Sequence, residues 1–417
     1  MHSGISQVLL FCNCITMKLL FLVSRFLDGG IDTVLVEYLN SLCRLTDHQI
    51  TLAIAIKHNE LEVYLSRLDR RVRVEYLIGG SKLTWYKIRA QKHQKSIING
   101  LYDEFILNPI RRRRMQKRLA ALAATNDVVI DFDCCHGSYL RNVDSHVRKL
   151  CFYHFSLVKE KERSPRRFER TINKFAIYDN IVLISDAMLE EARSICPQYA
   201  DKFVHIYNPI DADELRRRAD MPVDDELIQR PYMLAVERIE ESQKDITTLV
   251  RAYKILCDKH EPVGSSSAKV QTESIPYLYI IGKGRDEARI MALIDSLQLG
   301  ERVRLLGFKT NPAPWIKNAR LMVHSSKFEG LPTVLIEALL LGKTIVSSDC
   351  PTGPREILDY GRAGILVEPG NAQAMADAIE NVLSDTDLER RIRRGAAEYG
   401  SNFLPSKIIE SELSEVL

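Results

Sequence analysis

Two glutamates, Glu329 and Glu337, stand close together in the stretch FEGLPTVLIEALLLG of residues 328–342. If residues 332–341 form a helix, that helix is apolar on every side except at Thr333 and Glu337. A helix that is apolar all round is normally buried, and a buried carboxylate without a partner is costly. Glu337 therefore needs a partner, which is either a cation in the core or a bound ligand.

The start of this helix has the features of an anion site. A predicted strand, LMVHSS, ends just before it, and the chain then turns through residues 328–331. Pro332 suits the first helical position, and Gly342 suits the C′ position after the helix. The backbone amides of residues 331–334 would point out of the helix N-terminus, where the helix dipole attracts negative charge. Both glutamates could reach a ligand bound there.

Short apolar runs alternate with helical patterns along the chain, which is typical of βαβ units and a parallel sheet. The runs of the first half are KLLFLVS, QITLAIAI, VRVEYLI, DVVIDF, KLCFYHF and NIVLIS. After a polar stretch that contains proline, the pattern restarts with YMLAVE, YLYIIG, VRLLGF, LMVHSS, TIVSSD and GILVEP. Such runs predict strands that are buried on both faces. We therefore predict an α/β protein with two doubly wound, Rossmann-like domains that face a cleft, where ligands lie at the carboxyl ends of the strands.

The predicted boundaries follow from these patterns. Residues 1–16 are predicted to be an upstream extension, because Met17 begins the first buried strand. Residues 17–212 form the first domain, 213–230 the linker, and 231–417 the second domain, with a final helix that packs back on the first. Residues 263–275, VGSSSAKVQTESI, predict an exposed loop.

The composition excludes several classes of protein. The 417 residues, of which 46% are hydrophobic and 27% charged, are typical of a soluble protein with about two domains. No run approaches the roughly 18–20 apolar residues of a membrane span, and the apolar N-terminus lacks the basic region of a secretory signal. The nine cysteines form neither a CxxC pair nor a Cys/His grid, which argues against a disulfide framework and a structural zinc. We therefore predict a cytoplasmic protein.

Positive charge is concentrated in the first half of the chain. Residues 1–212 contain 31 Lys and Arg against 23 Asp and Glu, whereas the remainder contains 27 against 32. Eleven of the basic residues lie in a segment at 81–118 that also carries aromatic residues and contains Arg111, Arg112, Arg113 and Arg114. Such a segment suits peripheral binding to an anionic membrane surface. A solvated basic helix is the alternative.

Glu329 and Glu337 form an E-x7-E motif, preceded by Ser325 and Ser326. Other segments accompany it in a fixed order: FLVSRFLDGGIDTVLVEYLNSL, IVLISDAMLEEA, VHIYNPID, VERIEESQKDITTLVRAY, YLYIIGKGRDEARI, VRLLGF and TIVSSDCPTGPREIL. This ordered set resembles the retaining glycosyltransferases of family 4, which have the GT-B fold, and it covers most of the chain from Met17. The segment DCPTGPREIL is similar to that of enzymes that build bacterial surface polysaccharides from UDP-sugars.

The resemblance implies a donor site in the second domain. Arg238 and Lys244 match the basic pair that binds the donor diphosphate. Glu329 matches the carboxylate that faces the donor sugar, and Glu337 the glutamate that binds the ribose hydroxyls. Where the family usually has a small residue, this chain has Glu237. Further donor-binding positions are implied at Gly29, Gly30, Lys283, Gly307, Phe308, Lys309, Gly330, Leu331, Pro332 and Thr333.

Each of these assignments has a plainer alternative. Glu337 could belong to a core ion pair, Arg238 and Lys244 could be solvated surface charges, and Gly29 with Gly30 could form a simple turn. No metal or other cofactor is expected, because two cations and a helix dipole can stabilise the leaving diphosphate.

Histidines and aspartates supply the remaining candidates. His154 resembles a first-domain histidine near the donor sugar and is, with Glu329, the predicted catalytic residue; a satisfied core histidine is the alternative. His136 competes for that role, and His324 is predicted to be structural. Asp131-Phe132-Asp133 is predicted to be a loop, although an Asp-x-Asp after a strand holds a metal-bound nucleotide sugar in another glycosyltransferase fold.

Three functions follow. The first is a retaining glycosyltransferase that moves a hexose or N-acetylhexosamine from a nucleoside-diphosphate sugar, expected to be a UDP-sugar, to a glycan or lipid-linked acceptor. It would act in surface polysaccharide or lipopolysaccharide biosynthesis at the cytoplasmic face of the inner membrane, with no nucleic-acid partner. The second is a non-hydrolysing nucleotide-sugar 2-epimerase of the same fold, which the E-x7-E motif disfavours. The third is a protein whose basic segment binds nucleic acid, which the intact set of donor residues disfavours.

Overall fold

The computed structural model describes residues 16–27, 29–92, 96–260 and 275–417. These residues form two parallel β-sheets, one of seven strands in the order β3-β2-β1-β4-β5-β6-β7 and one of six in the order β10-β9-β8-β11-β12-β13. The predicted α/β fold with two Rossmann-like domains is therefore confirmed. Nearly all of the predicted upstream extension and of the predicted loop at 263–275 lies outside the described residues.

The first sheet is built from buried apolar runs, as parallel strands covered on both faces require. Its strands are β1 (Lys18–Val23), β2 (Gln49–Ile56), β3 (Arg73–Ile78), β4 (Val128–Asp131), β5 (Arg148–Tyr153), β6 (Asn180–Leu183) and β7 (Phe203–His205). Helix α1 (Gly30–Leu45) connects the first two strands. The helices that follow β4 are α5 (Gly137–Leu140), α6 (Leu157–Arg163), α7 (Pro165–Phe175), α8 (Asp186–Ile195) and α9 (Ala212–Ala219).

The basic segment between β3 and β4 is helical. It contains α2 (Ser81–Gln91), then α3 (Ile97–Tyr102), a π-helical turn (Asp103–Leu107) and α4 (Asn108–Ala123) in direct succession. Within the continuous helical run from α3 to α4, every fourth residue from Asp103 onwards is buried: Asp103, Leu107, Arg111, Met115 and Leu119. At 1.5 Å per residue the run from α3 to α4 is roughly 40 Å long, about twice the length of β3. Its α3 end therefore extends past the sheet.

The second sheet contains β8 (Tyr232–Val236), β9 (Tyr277–Ile281), β10 (Val303–Gly307), β11 (Leu321–His324), β12 (Ile345–Ser348) and β13 (Ile365–Val367). Its helices are α10 (Ile246–His260), α11 (Glu287–Ser296), α12 (Ala313–Asn318), α13 (Thr333–Leu340), α14 (Pro354–Ile357), α15 (Ala372–Ser384) and α16 (Thr386–Tyr399). A last helical segment comprises α17 (Pro405–Lys407) and a π-helical turn (Ile408–Leu413).

The two domains are in contact. The last helical segment packs against α1 of the first domain, and the amide of Ile210 donates to the carbonyl of Phe403 at 2.9 Å. The carboxylate of Glu356 accepts hydrogen bonds from the amides of Asp186 and Ala187 at 2.8 and 2.7 Å. A side chain of the second domain thus caps α8 of the first, where the helix dipole favours a negative charge. Across the four described ranges, no helix combines the length and the apolar character needed to cross a membrane.

Candidate active site

The order of the strands fixes where a ligand can bind. The order in which successive strands join the sheet reverses between β1 and β4 in the first sheet and between β8 and β11 in the second. Ligands of open α/β sheets bind at such switch points, beyond the carboxyl ends of the strands. The residues after β8 include Arg238 and Lys244, and those after β11 include Glu329. The fold therefore brings these three predicted residues to one switch point.

Lys244 and Glu329 form a buried ion pair between the Lys Nζ and the Glu Oε1. Ser326 donates its hydroxyl to the same oxygen at 2.5 Å. Burial acts to raise the pKa of Glu329, but the Lys244 ammonium and the His324 ring outweigh it and hold that pKa well below its usual range. For Lys244, burial acts to lower the pKa, and Glu329 and Glu237 outweigh it and raise the pKa. The surface-charge alternative for Lys244 is therefore wrong.

Arg238 differs from Lys244 in its exposure. Its side chain is 61% exposed, and its guanidinium lies 3.6 Å from Glu240. The contact is long, and an exposed pair contributes little to stability. Arg238 is thus free to turn towards an anion in the cleft.

The loop before α13 is held by close backbone packing. The amide of Glu329 donates to the carbonyl of Pro351 at 3.1 Å, and a Cβ on Gly353 would lie 2.7 Å from the carbonyl oxygen of Gly330. Helix α13 begins at Thr333, so Pro332 occupies the N-cap and not the predicted first helical position. Gly342 has φ +68°, as the C′ position requires. The buried Leu331 anchors the loop.

Glu337 has a cation within the protein. The Arg218 guanidinium lies 3.7 Å from the Glu337 carboxylate and 3.7 Å from that of Glu37 on α1. Burial raises the pKa of Glu337, although Arg218 and Arg67 act to lower it. Both distances to Arg218 exceed a hydrogen bond, and two nitrogens of Arg218 lack a hydrogen-bond partner among the described residues. The core-pair alternative is thus present in the structure, in a loose form that leaves hydrogen-bonding capacity for a ligand.

The loops predicted to meet the base lie side by side. The amide of Gly282 donates to the carbonyl of Gly307 at 3.0 Å, and a Cβ on Gly307 would lie 3.7 Å from Cε of Lys283. Phe308 is exposed. The Lys309 ammonium lies over the ring of Trp315 at 5.5 Å. The second domain therefore presents two cations and an exposed ring at one corner of the cleft.

Glu237 is buried where the family resemblance implies a small residue. The close backbone approach at this point is made instead by glycines of the neighbouring strand end. A Cβ on Gly282 or Gly284 would lie 1.9 Å from the carbonyl oxygens of Glu237 and Ile239, respectively. The Glu237 side chain points inwards, towards His324 at 3.6 Å.

His154 faces the second domain across the cleft. A Cβ on Gly330 would lie 2.3 Å from the backbone oxygen of His154, so only glycine permits this approach. The His154 Nε2 lies 2.7 Å from the carbonyl oxygen of Phe132, and burial lowers the His154 pKa to about 4. The imidazole is therefore neutral near pH 7. Gly29 serves as the N-cap of α1, and Gly30 is its first residue, at the end of β1.

Asp131, Asp133 and His136 form a cluster whose ligand atoms lie close enough for a metal ion. The Asp131 carboxylate already accepts hydrogen bonds from the amide of His136 at 2.7 Å and the hydroxyl of Tyr178 at 2.5 Å. Burial acts to lower the pKa of His136, but the two aspartates outweigh it and raise the pKa to about 10. His136 is therefore a cation between two carboxylates. A metal would have to displace this network. Of the three residues predicted to be a loop, Asp131 is instead the last residue of β4, and Phe132 and Asp133 follow the strand.

The structure adds residues to the site that sequence reasoning missed. His324 was predicted to be structural, yet its Nε2 lies 3.3 Å from Oε1 of Glu329. Its position at the end of β11 is a signal that could have identified it, since chemistry follows strand ends in this fold. Arg218 carries no such signal, because it belongs to a run of three arginines in α9.

The basic segment requires a correction. Arg112, Arg113 and Arg114 are exposed, but Arg111 is buried and makes a bidentate ion pair with Asp103 at 2.7 Å. Its guanidinium also donates to the carbonyl of Leu83 at 2.8 Å. Arg111 therefore cannot contact a membrane surface as predicted; it joins α4 to α2 instead.

Parts of the chain are similar in sequence to known glycosyltransferases. Residues 219–399 match the family "Glycosyl transferases group 1". Over 259 residues the chain is 29% identical to an enzyme of Campylobacter jejuni, the N-acetylgalactosamine-N,N′-diacetylbacillosaminyl-diphospho-undecaprenol 4-alpha-N-acetylgalactosaminyltransferase. This match covers 60% of this chain and 65% of that enzyme. It is 32% identical over 137 residues to the lipopolysaccharide 1,6-galactosyltransferase of Salmonella typhimurium, covering 31% of this chain and 35% of that enzyme. The match thus spans less than two thirds of either enzyme.

Solved structures resemble nearly the whole chain. Anabaena Alr3699/HepE in complex with UDP-glucose superposes with a TM-score of 0.72 at 17% identity, covering 96% of this chain and 99% of that one. The lipopolysaccharide outer core galactosyltransferase WaaB superposes with a TM-score of 0.59 at 21% identity, covering 94% and 99%. The second domain thus matches the group 1 glycosyl transferases, and the two-domain architecture of the chain is the GT-B fold of glycosyltransferases.

Proposed function

We propose that the protein is a retaining glycosyltransferase that transfers a hexose or N-acetylhexosamine from a UDP-sugar to a glycan or lipid-linked acceptor. The observation that carries the proposal is the buried Lys244–Glu329 pair at the switch point of the second sheet, opposite His154 of the first domain. Burying a charged pair contributes little net stability, because the cost of removing both charges from water offsets their attraction. Such a pair is expected where charge develops during a reaction.

The chemistry follows from the charges. Departure of a nucleoside diphosphate places negative charge near its phosphates, which Arg238, Lys244 and the N-terminus of α13 stabilise. The ionised Glu329 carboxylate stabilises the positive charge that develops on the sugar. The neutral imidazole of His154 orients the sugar by hydrogen bonding. No metal is required for this division of roles.

Relatives and structural neighbours support the donor and the pathway. HepE was crystallised with UDP-glucose, and the relatives in Campylobacter and Salmonella are named for transfer to a diphospho-undecaprenol glycan and to lipopolysaccharide. We therefore propose a role in bacterial surface polysaccharide or lipopolysaccharide biosynthesis. Retention is proposed from the E-x7-E motif and is tested by determining the anomeric configuration of the product.

The test is a panel of nucleotide sugars, scored for slow donor hydrolysis without acceptor and for transfer with a membrane-extracted acceptor. Glu329→Gln and Lys244→Ala should each lower turnover by at least about a hundredfold. Glu389→Gln, at a surface ion pair with Arg320, is the matched control and should leave turnover unchanged. Near-normal turnover in either active-site variant would contradict the proposal. Conversion of UDP-N-acetylglucosamine to its 2-epimer without acceptor would favour the epimerase instead.

We also propose that the protein binds the cytoplasmic face of the inner membrane through α3 and the start of α4. Large apolar side chains are exposed there: Ile97 (85%), Ile98 (79%), Leu101, Tyr102, Phe105 (70%), Ile106 and Ile110. They form rows spaced by four residues, so they share one side of the helical run. Such a contiguous exposed apolar surface marks an interaction site.

The basic residues are placed to assist this contact. Arg113 follows Phe105 by eight residues, which is about 12 Å along a helix. Apolar side chains of an interfacial helix enter the bilayer by about 5–10 Å, so Arg112, Arg113 and Arg114 would lie at the level of anionic headgroups.

Sedimentation with vesicles of varied anionic lipid content tests this proposal. The double variant Ile98→Asp/Phe105→Asp should reduce binding at least tenfold, because it removes inserted apolar area. Glutamine at residues 112–114 should reduce mainly the part of the binding that depends on anionic lipid. Met291→Asp, at an exposed site of the second domain, is the matched control. Binding that survives the double variant would contradict membrane insertion, while transfer to a water-soluble acceptor would still test the enzyme activity separately.

A further inference from the structure

Glu237 is a buried carboxylate without a hydrogen bond. Its side chain is 1% exposed, and neither of its oxygens has a hydrogen-bond partner among the described residues. Burial of a charged group in this state is unfavourable. The nearest ionisable nitrogen is Nδ1 of His324, at 3.6 Å. A group of this kind behind a candidate active site requires an explanation.

His324 connects Glu237 to the proposed catalytic carboxylate. Its Nε2 lies 3.3 Å from Oε1 of Glu329 and has no hydrogen-bond partner among the described residues. The two ring nitrogens therefore face two different carboxylates. The imidazole ring, which is 2% exposed, spans the space between them. A small residue at position 237 would leave Nδ1 of His324 without this neighbour.

The environment of Glu237 brings the pKa of its carboxyl close to neutral pH. His324 and Lys244 act to lower the pKa of Glu237, whereas Glu329 and Glu241 act to raise it. Burial is the largest influence, and the resulting Glu237 pKa is about 7. The Glu237 carboxyl therefore gains or loses its proton readily near neutral pH.

We propose that Glu237 and His324 form a pair with two roles. His324 positions the Glu329 carboxylate through Nε2, and the pair takes up a proton from solvent when the donor diphosphate binds beside Lys244. This inference rests on the proposed function, since it requires a diphosphate ligand. Binding of the diphosphate adds negative charge beside the cluster, and nearby negative charge favours protonation. The proton held by the pair offsets that charge. Neither residue touches the donor.

Isothermal titration with UDP at pH values from 6 to 8.5 measures this linkage. The change of log Kd with pH equals the number of protons taken up on binding, by the same linkage that governs stability. Because the Glu237 pKa is about 7, the carboxyl is about half protonated at pH 7, and Glu237→Gln should reduce that slope by roughly 0.5. Titration of the UDP phosphate is common to all variants and cancels in the comparison. Glu62→Gln is the matched control, since Glu62 is equally buried in the first domain and bonded to the amide of His58 at 2.7 Å.

Variants of His324 test the positioning role separately. His324→Gln retains an amide donor towards Glu329, whereas His324→Leu does not. The leucine variant should lose at least about tenfold in kcat, and the glutamine variant should recover most of that loss, because a hydrogen bond to a charged group is lost only in the former. Both should lose the pH linkage of UDP binding.

The outcomes separate this inference from the proposed function. UDP binding with a pH slope that Glu237→Gln leaves unchanged would overturn the pair, and the glycosyltransferase proposal would stand. Equal kcat in the glutamine and leucine variants of His324 would overturn the positioning role. If Glu237→Gln does not fold, the slope is measured in the two His324 variants, which make the same prediction. Failure of the native protein to bind UDP would contradict both proposals.

Discussion

The buried carboxylate of Glu237 makes the stability of the protein depend on pH in a way that a single substitution can reveal. Its pKa is about 7 in the folded protein and 4.5 as the ordinary value, and burial is the main cause. Since the folded pKa is raised, the folded state binds more protons between pH 4.5 and 7, and stability falls as pH rises through this window. At 1.36 kcal/mol per unit of pKa difference, the free energy of unfolding falls by about 3 kcal/mol between pH 4.5 and pH 8.

Glu237→Gln removes this titration with little change of volume. Guanidinium unfolding at pH values from 4.5 to 8.5 gives the free energy of unfolding for both proteins, and all other titrating groups cancel in the difference. The variant should gain about 3 kcal/mol relative to the native protein across the range, equivalent to roughly 6–12 °C in Tm for a domain of this size. Glu62→Gln serves as the control for a buried carboxylate that is hydrogen-bonded. A difference between Glu237→Gln and the native protein that stays constant with pH would refute the reasoning, because the carboxylate would then be ionised in both states.

Three further predictions concern other parts of the molecule. Arg111→Met should lower the free energy of unfolding by about 3 kcal/mol, because the buried Asp103 carboxylate loses its bidentate partner and keeps only Lys87 at 3.1 Å. In the same guanidinium unfolding experiment, Arg113→Met should change it by less than about 0.5 kcal/mol. Gly330→Ala should lower kcat by roughly tenfold or more, since a Cβ would meet a backbone oxygen of the other domain; unchanged kcat would show that this approach is not needed for turnover. Glu337→Ala should raise the Kd for UDP by about tenfold and change stability by less than about 1 kcal/mol, because the cation beside it keeps a second carboxylate. A loss of stability without a change in UDP affinity would instead assign Glu337 to the core.

The strands that build both sheets were predictable because their signal is local. A short segment rich in apolar residues between turns is recognisable without knowledge of its neighbours, and all six strands of the second domain were predicted from such segments. Strand β7 was missed because its three residues, FVH, include only two apolar ones, whereas β13, which is equally short, is apolar at all three positions. The positions of Arg238, Lys244 and Glu329 at strand ends were also predictable, since the topology of a parallel sheet carries its loops to one edge.

The partners of buried charges were decided by the tertiary structure. Four consecutive arginines are equivalent in the sequence, and only the row of buried residues at every fourth position separates Arg111 from its neighbours. Glu337 was known to need a partner, but Arg218 stands more than a hundred residues away, on a helix between the domains. Hydrophobic periodicity is written along the chain, whereas the electrostatic environment of a buried group is set by whatever residues the packed domains bring within a few ångströms of it. The sequence by itself therefore determined the sheets and the edge at which a ligand binds, and the packing of the two domains decided which charges face each other there.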